Sequence, residues 1–478
     1  MLLSELIKKI KVVEVRGNIN IQVKGLSQKI DLVKKGDLFF CYKGVNNNGH
    51  DFAYKAKQNG AVALIVEKFV EVDLPQILVK NTRKIMPVVC NIFFYDVLKY
   101  LYLIGVTGTN GKTTSTTIIY DLLNTNGYKV GLIGTNGIKF LNRKINSNLT
   151  TPDTVELFYI FSKMKNAGVK YVVMEVSAHA IALNKLLGIK FEVGALTNIS
   201  QDHLDFFKNM TTYAKCKLKF LNKNYCKNIF INVDDKKGQL FSKIINTNTI
   251  TYGLENPSKC FAIDIKYNLE STTFLANVFD DVLIVKSRLS CKFNVYNLLL
   301  AISIVKFIGL DKNQILNGIK NLSIVNGRMN LYKLKSGAVA IIDFAHTPDG
   351  LKNVLENLRE INKNNKITTI FGCGGNRDKL KRSKMGNIAS TLSDKVILTS
   401  DNPRNENPLK IINDIKKGIN KNNYLIVENR IAAIEKVINE SSKNEIILIA
   451  GKGAENYQEI KNKKYLYNDK FIVEKYLI

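Results

Sequence analysis

Residues 101–127 contain the feature that most constrains the fold, a glycine-rich turn between an apolar strand and a helix. LYLIGV is a short apolar run typical of a buried parallel strand, and TTSTTIIYDLLNTNG has the pattern of a helix. The turn between them reads GVTGTNGKTT, from Gly105 to Thr114. A strand, a turn of this kind and a helix form the setting in which chains bind nucleotide phosphates. The sequence therefore predicts a P-loop that binds a nucleoside triphosphate.

Each residue type in this turn suits a phosphate. Gly108 and Gly111 let backbone N–H groups turn toward the ligand, and the helix N-terminus adds partial positive charge. Lys112 is expected to bridge the β- and γ-phosphates, and the Thr113 hydroxyl to bind Mg²⁺. The spacing departs from GxxxxGK[ST], because Val106 stands at the first glycine position. The predicted ATP-binding residues of the loop are Gly108, Thr109, Asn110, Gly111, Lys112, Thr113 and Thr114.

The loop alone does not choose among GTPases, helicases, kinases and ligases. Groups at later strand ends narrow the choice. MEVSAHA places Glu175 at a strand end, where a carboxylate can hold Mg²⁺. TNISQDHLDFF places His203 between two aspartates after the next strand, which indicates a second cation site. A lysine buried in the following TTYAKCKLKFL would be costly as an ammonium ion, and the spacing alone does not distinguish a neutral lysine from a carbamylated one.

The 478 residues suffice for two to four domains, and the strand pattern predicts an α/β protein of three. Residues 1–98 are predicted to form a small N-terminal α/β substrate domain. Residues 99–325 form a central P-loop ATPase-like domain with a parallel sheet, and residues 326–478 a C-terminal Rossmann-like α/β domain. Ligand groups in the last domain are expected at the carboxyl ends of VAIIDFA, ITTIFGCGG, DKVILTS, NYLIVE and EIILIAGKG.

Composition excludes several classes of protein. The 23% of charged residues is ordinary for a globular chain, no apolar run predicts a membrane span, and the charged start does not suit a signal peptide. The net charge of +29 comes from lysines spread along the chain, so no nucleic-acid partner is predicted. Seven cysteines without CxxC pairs predict reduced thiols and a cytoplasmic protein.

The motifs resemble those of the Mur ligase family, which builds the peptide stem of bacterial peptidoglycan. TGTNGKTT, TTPDT, MEVSAHA, TNISQDHLD, NVYN, NGRMN, DFAHTPD, GCGGNRD, DNPRNENP and GKGAE occur in the family's order over nearly the whole chain. The resemblance implies a monomeric ligase that uses ATP and Mg²⁺. It implies that meso-2,6-diaminopimelate is joined to the D-glutamate of UDP-N-acetylmuramoyl-L-alanyl-D-glutamate (UDP-muramyl-dipeptide) through an acyl phosphate.

The resemblance also implies roles for residues. The catalytic set is Lys112, Glu175, His203, Lys217 and Arg328, with Lys217 carbamylated. The magnesium ligands are Thr113, Glu175, His203 and Lys217. Beyond the loop, the ATP site adds Asn294, Asn297, Arg328, Asp343 and His346. The UDP-muramyl-dipeptide site is Thr150, Thr151, Ser177, Lys185 and Lys217. The diaminopimelate site is Arg377, Asp401, Asn402, Pro403, Arg404, Gly451 and Glu455.

Arg404 carries the prediction about the amino acid. Meso-diaminopimelate has two carboxylates and two ammonium groups, and a guanidinium can take the distal carboxylate bidentately. Asp401 and Glu455 can accept from an ammonium group. Family members that add lysine lack this arginine, since lysine has no distal carboxylate. The alternative is an Asx-Pro turn with a solvated arginine.

The sequence departs from the family pattern at Leu149, Leu183, Lys185 and Ala454, and it lacks the Asp-Ser-Arg signature before GDLF. These changes weaken particular contacts, and no uridine contact is predicted, but the catalytic set is intact. Alternative functions are a ligase that adds L-lysine, a folylpolyglutamate synthetase-like ligase and, in another class, a basic nucleic-acid-binding P-loop ATPase.

Overall fold

The computed structural model describes residues 1–44, 47–147 and 149–478. They form two compact units. The first unit comprises Met1–Gly105, Tyr128–Gly194 and Lys219–Ile229. The second unit comprises Val106–Gly127, Ala195–Leu218 and Phe230–Ile478.

Helices and strands alternate along most of the chain. The helices are α1 (Leu3–Ile7), α2 (Ala53–Gln58), α3 (Thr82–Phe93), α4 (Lys112–Thr125), α5 (Thr154–Asn166), α6 (Ala178–Ala182), α7 (Leu204–Phe207), α8 (Met210–Phe220), α9 (Lys236–Ile244), α10 (Lys292–Ile308), α11 (Lys312–Lys320), α12 (Pro348–Ile361), α13 (Leu380–Leu392), α14 (Pro408–Lys416), α15 (Arg430–Asn439) and α16 (Asp469–Val473). Short 3₁₀ turns lie at Ile30–Leu32, Gly49–Phe52, Val97–Tyr100 and Glu474–Tyr476.

The strands are β1 (Glu14–Arg16), β2 (Gly25–Ser27), β3 (Asp37–Phe40), β4 (Ala63–Val66), β5 (Gln76–Leu78), β6 (Tyr102–Thr107), β7 (Val130–Gly134), β8 (Gly137–Phe140), β9 (Arg143–Ile145), β10 (Tyr171–Glu175), β11 (Phe191–Leu196), β12 (Cys226–Asn232), β13 (Asn248–Gly253), β14 (Cys260–Tyr267), β15 (Thr272–Val278), β16 (Asp281–Ser287), β17 (Asn330–Lys333), β18 (Val339–Asp343), β19 (Ile367–Phe371), β20 (Lys395–Leu398), β21 (Tyr424–Ile426), β22 (Ile446–Ala450), β23 (Tyr457–Ile460) and β24 (Lys463–Leu466).

The first unit contains a five-stranded sheet in the order β1-β5-β4-β3-β2. Strands β2 to β5 run parallel, and β1 pairs antiparallel with β5. Every residue of β3 and β4 is buried, and Phe39 and Leu64 pack with Ala53 and Ala56 of α2. The unit also contains strands in the order β10-β7-β8-β9, in which β7 and β10 run parallel, together with the first residues of β6, β11 and β12. Buried apolar strands are typical of a parallel sheet, as predicted.

The second unit carries the meander β14-β15-β16 and a six-stranded sheet in the order β17-β18-β22-β19-β20-β21. Within that sheet only β17 is antiparallel. Because β22 lies between β18 and β19, the loops that follow these three parallel strands lie side by side at the carboxyl ends, where open α/β sheets bind ligands. The loops after β18, β19, β20 and β22 all begin at that edge.

The α/β fold class is confirmed. LYLIGV forms β6, and the helix expected after the glycine-rich turn is α4. The predicted C-terminal strands are β18 to β22. None of the described helices combines the length and apolar character needed to cross a membrane. All seven cysteines are free thiols, and all except Cys216 are buried.

Candidate active site

The phosphate loop depends on its glycines. Gly111 has φ 84°, in the left-handed region, and precedes the first residue of α4. A side chain at Gly108 would collide with the Thr197 hydroxyl, and one at Gly111 would lie 2.5 Å from Asn297 Oδ1. Glycine is therefore required at both positions, by backbone conformation at Gly111 and by crowding at both.

The segment after β11 holds the loop from one side. Asn198 Oδ1 accepts from the Asn110 N–H at 2.9 Å, and the Thr197 hydroxyl donates to the Asn110 carbonyl at 2.6 Å. The Thr109 hydroxyl donates to the Ser200 carbonyl at 3.2 Å and lies 3.1 Å from the Tyr213 hydroxyl. The TNIS and TGTNGKTT motifs, about 90 residues apart in sequence, thus form one structure.

The predicted nucleotide residues from later motifs meet α4. Arg328 Nη2 donates to the Thr113 hydroxyl at 3.1 Å. Asn297 accepts from the Ser115 hydroxyl at 3.1 Å and donates to Asn294 at 3.0 Å. Lys112 Nζ donates to the carbonyl oxygens of Gly108 and Thr109, each at 2.7 Å. Thr114 is buried in the same turn.

Asp343 fixes the path of the chain near Arg328. Its carboxylate accepts from the backbone N–H groups of Met329 and Ala345, each at 2.8 Å. Burial raises the pKa of Asp343, although the Arg328 charge and these two hydrogen bonds oppose the shift. The Arg328 guanidinium stacks on the Phe344 ring, 4.4 Å from its centroid. Asp343 therefore orients the segment that carries Arg328.

A buried carboxylate, Asp202, gathers basic side chains from three segments. His203 Nε2 lies 3.3 Å and His346 Nε2 3.6 Å from Asp202 Oδ2, and Lys381 Nζ lies 3.7 Å from Oδ1. Burial alone would raise the pKa of Asp202, but its hydrogen bond with His346 and the nearby Lys381 and His203 charges hold it well below the usual range. Sequence reasoning missed Lys381, because no pattern distinguishes it within the basic stretch DKLKRSK.

Lys217 is the buried lysine of α8. Its side chain is 1% exposed, and Nζ donates to the Gly108 carbonyl at 2.8 Å. Burial and the Lys112 charge lower the pKa of Lys217 well below that of an ordinary lysine. A neutral amine is the form that can react with CO₂ to give a carbamate. Lys215, on the same helix, is exposed.

Thr113 and Glu175, two of the four predicted magnesium ligands, offer oxygen donors, which suit a hard cation. Glu175 belongs to the first unit and is 1% exposed, and it accepts from the Thr135 N–H at 2.7 Å and the Thr135 hydroxyl at 3.1 Å. Within residues 1–44, 47–147 and 149–478, no group of three or more His, Cys, Asp and Glu side chains is arranged to hold a metal. Mg²⁺ in nucleotide sites commonly takes one or two protein ligands and completes its shell with phosphate and water, so the donor chemistry fits.

Four predicted substrate residues lie in the first unit. The Thr151 hydroxyl donates to the Glu175 carbonyl at 2.8 Å and accepts from the Ser177 N–H at 3.0 Å. The hydroxyl oxygens of Thr150 and Thr135 lie 3.2 Å apart. Lys185 Nζ pairs with Asp153 Oδ1 at 2.6 Å. The second oxygen of Asp153 pairs with Lys29 Nζ at 2.7 Å. Asp153 and Lys29 were not predicted, because an ion pair between distant segments leaves no local pattern.

The DNPR segment follows β20, and its polar groups are tied to the segment after β22. Asn402 donates to Glu455 Oε2 at 2.8 Å and accepts from Lys452 Nζ at 3.0 Å. Lys452 also pairs with Glu455 at 2.8 Å, and Pro403 is buried between these groups and the β19 loop. A side chain at Gly451 would lie 2.9 Å from Asp401 Oδ2. The predicted amino-acid residues from these two loops therefore form one cluster.

Two arginines flank the loop after β19. A side chain at Gly374 would lie 3.0 Å from Arg404 Nη1 and 3.7 Å from Arg377 Cγ. Desolvation and the Arg404 charge lower the pKa of Arg377. Arg404 Nε pairs with Glu459 Oε2 at 2.9 Å, and Nη1 donates to the Gly375 carbonyl at 2.8 Å. The pairing with Glu459 was not predicted.

Beneath Asp401 lies an ion pair that the sequence did not reveal. Arg430 donates through Nε and Nη2 to the two oxygens of Asp469 at 2.9 and 2.8 Å, and both side chains are fully buried. Burial alone would raise the pKa of Asp401, but the Lys452 and Arg430 charges outweigh it and lower that pKa. Asp401 is therefore kept as a carboxylate, the form that accepts from an ammonium group.

A P-loop between a parallel strand and a helix, with a second α/β sheet whose loops carry paired charges, defines an ATP-using enzyme that also binds a charged small molecule. Comparisons with known proteins give its family. Residues 24–96 match the model of the Mur ligase family catalytic domain, 106–305 the Mur ligase middle domain, and 327–453 the glutamate ligase domain of Mur ligases. The chain belongs to the Mur ligase family and is an ATP-dependent ligase.

Individual relatives cover the whole chain. A UDP-N-acetylmuramoyl-L-alanyl-D-glutamate–2,6-diaminopimelate ligase of Clostridium acetobutylicum is 40% identical over 100% of this chain and 99% of its own. A ligase of the same name from Clostridium tetani is 38% identical over 99% of both chains. A solved structure of a ligase of that name has a TM-score of 0.70 at 30% identity, and covers 99% of this chain and 98% of its own. A Mycobacterium tuberculosis folylpolyglutamate synthase, at 16% identity and TM-score 0.63 over 77% of this chain and 92% of its own, shares the fold.

Proposed function

We propose that this enzyme joins meso-2,6-diaminopimelate to the D-glutamate carboxylate of UDP-muramyl-dipeptide, a step of peptidoglycan precursor synthesis. The observation that carries the choice of amino acid is the charge pattern after β19, β20 and β22. Arg377 and Arg404 stand on one side of that cluster, and Asp401 and Glu455 carry the opposite charge. An amino acid with two carboxylates and two ammonium groups complements both signs.

The proposed reaction has two steps. A carboxylate oxygen of D-glutamate attacks the γ-phosphorus of ATP, so that ADP leaves and an acyl phosphate forms. An ammonium group of diaminopimelate then loses a proton. The resulting neutral amine attacks the acyl carbon, and inorganic phosphate leaves as the amide forms. Activation is needed because a free carboxylate is a poor electrophile.

The chain's cations reduce the repulsion between the two anionic reactants. Lys112 at the loop and Arg328 at the Thr113 hydroxyl bring positive charge to the start of α4. Mg²⁺ would offset further phosphate charge when bound. The proposed ligands for it are Thr113, Glu175, His203 and a carbamate on Lys217.

The remaining assignments are proposals of the same standing. We propose that ATP contacts the P-loop and also Asn294, Asn297, Asp343 and His346. We propose that UDP-muramyl-dipeptide contacts Thr150, Thr151, Ser177 and Lys185. We propose that the enzyme acts as a monomer in the cytoplasm, which agrees with its free thiols.

The test is ADP release measured over a panel of amino acids. The purified enzyme is given ATP, Mg²⁺ and UDP-muramyl-dipeptide, and each amino acid is added in turn. ADP formation that depends on meso-diaminopimelate and yields an equal amount of tripeptide product is expected. Release that follows another amino acid equally well would contradict the assigned substrate. Release without any amino acid but stimulated by nucleic acid would contradict the ligase assignment.

A further inference from the structure

The hairpin β23–β24 carries a carboxylate into the proposed diaminopimelate site. Its backbone joins the DNPR segment: the Arg404 N–H donates to the Glu459 carbonyl at 3.0 Å, and the Lys461 N–H donates to the Arg404 carbonyl at 2.8 Å. The Glu459 N–H donates to Asn402 Oδ1 at 2.9 Å, and Gln458 donates to the Asp401 carbonyl at 2.7 Å. Glu459 is therefore fixed beside Arg404 by its own main chain.

The Glu459 carboxylate uses only one edge of the Arg404 guanidinium. Oε2 accepts from Nε at 2.9 Å, while Nη1 donates to the Gly375 carbonyl at 2.8 Å. Among the described residues, Arg404 Nη2 has no hydrogen-bond acceptor. Two contacts on different edges fix the plane of a guanidinium, and they leave its Nη2 donors for a ligand.

We infer that Glu459 is a positioning residue for Arg404, which holds the guanidinium so that Nη2 faces the distal carboxylate of the incoming amino acid. This inference rests on the proposed function and adds a determinant of substrate recognition outside the DNPR motif. Arg404 itself lies at φ 51°, an unusual conformation for a residue with a side chain, so its direction depends on local contacts.

The alternative is that Glu459 competes with the substrate by imitating its carboxylate. A competing carboxylate would be expected to engage the guanidinium in a fork, through two nitrogens. Glu459 instead makes a single hydrogen bond at Nε and leaves Nη2, the second nitrogen of that fork, to other acceptors. The geometry therefore favours positioning over competition.

Charge balance gives Glu459 a second effect. Arg377 and Arg404 flank Gly374, and two like charges so placed repel each other. Glu459 offsets this repulsion when no substrate is present. Arg404 also keeps Glu459 as a carboxylate partner when the ligand is lysine. The free-energy cost of binding a ligand without a distal carboxylate is therefore smaller than it would be for an arginine left without a counter-ion.

The test separates the two roles with Glu459→Ala and Glu459→Gln in the full-length enzyme. The Ala variant frees the arginine side chain, so we expect the KM for meso-diaminopimelate to rise about tenfold with kcat within about twofold. The Gln variant keeps an acceptor for Nε–H and should stay within about threefold of wild type. The KM values for ATP and UDP-muramyl-dipeptide should not change in either variant.

A lower or unchanged KM for meso-diaminopimelate in Glu459→Ala would overturn the positioning role. If the Ala variant fails to fold, Glu459→Thr gives the same test, because threonine suits a strand and its hydroxyl does not replace the carboxylate. Glu440→Ala is the matched control, since it removes an exposed carboxylate that pairs with Lys395 and Lys436. It should leave every KM unchanged, and an equal rise there would overturn the specific role of Glu459.

Failure of this inference is distinguishable from failure of the proposed function. A wild-type enzyme that does not use meso-diaminopimelate would overturn both. A wild-type enzyme that uses it, together with a Glu459→Ala variant of unchanged KM, would overturn the role of Glu459 alone.

Discussion

The phosphate loop lies between β6 and α4. The DNPR segment after β20 and the segment after β22, together called the amino-acid loop, lie in the same unit. The two loops differ in the partners of their positively charged side chains. At the phosphate loop, Lys112 donates to two backbone carbonyl oxygens of the loop itself. At the amino-acid loop, Arg404 pairs with Glu459 and Lys452 with Glu455. Carbonyl oxygens are neutral acceptors, whereas carboxylates cancel a full charge.

The difference follows from the ligands. A triphosphate is strongly anionic, so the Lys112 ammonium group, held by neutral carbonyls, keeps most of its attraction for it. Diaminopimelate carries equal numbers of positive and negative groups, and a site with cations alone would repel its ammonium groups. The amino-acid loop therefore places both signs within one cluster. The same contrast predicts that losing one cation matters most at the phosphate loop.

The largest expected effect is at Lys112. Lys112→Ala should lose about 3 kcal/mol or more of transition-state stabilisation, because a cation aimed at the transferring phosphoryl group is removed. The measurement is ADP and phosphate release, with the melting temperature as a check on folding. Near-normal turnover would break the comparison, since the phosphate loop would then not depend on its lysine.

Lys217 comes next. Lys217→Ala should lose activity by about two orders of magnitude if the lysine acts as a carbamate, by analogy with the loss of one catalytic electrostatic group. Millimolar short carboxylates should restore part of it by filling the vacated position. Burial and Lys112 lower the pKa of Lys217, which favours the neutral amine that can react with CO₂.

Lys215→Ala is the matched control for that variant. Lys215 lies two residues away on α8 and is exposed, so its removal should leave activity and stability unchanged. Full activity of Lys217→Ala without added carboxylate would reject the carbamate. Loss confined to Lys215→Ala would assign the modification to the other lysine.

A smaller effect is expected at Arg404. Wild-type enzyme should prefer meso-diaminopimelate over L-lysine by about 30-fold in kcat/KM, which corresponds to roughly 2 kcal/mol, the lower end for an unmatched charged group. The lower end applies because Glu459 remains as a partner of the guanidinium. Arg404→Ala should lose a similar factor with diaminopimelate. Arg404→Lys should also be poor, because a single ammonium group does not reproduce the planar guanidinium that contacts Glu459, the Gly375 carbonyl and the ligand through three nitrogens.

Arg359→Lys serves as the control for the Arg404 variants. Arg359 also combines a carboxylate, Asp394, with backbone carbonyls, but those partners precede β19 and β20, at the opposite edge of the sheet. It should change stability without changing amino-acid preference. Comparable use of L-lysine by the wild type would show that DNPR is only a turn here.

The smallest expected effect is the response of amino-acid binding to pH. Asp401 has a pKa below the usual value of about 4, because Lys452 and Arg430 outweigh its burial. A carboxyl whose pKa is lowered in the folded protein stays ionised at every pH above its pKa in the unfolded chain. Its contribution to stability is lost only as pH falls through its pKa in the folded protein. The KM for meso-diaminopimelate should therefore change less than about twofold between pH 6 and 8. A rise toward pH 6 would show that Asp401 is protonated in that range.

The sequence by itself was enough to predict the α/β class, the strand and helix around the P-loop, and the family. These features are local: β6 is an apolar run, α4 follows a glycine turn, and Gly108 and Gly111 stand where only glycine fits. Strand and helix periodicity acts over a few residues, so it is visible without a structure.

The partners of the site residues were decided by tertiary structure. Glu459 lies 55 positions from Arg404, and Asp469 lies 39 positions from Arg430. Lys381 comes from a distant basic stretch of the chain and lies beside Asp202. None of these pairs leaves a periodic mark, because charge attraction acts between side chains that the fold brings together regardless of their separation in the chain. The sequence therefore determined which residues a ligand could meet, and the packing of the loops determined how much of each residue's charge is left for that ligand.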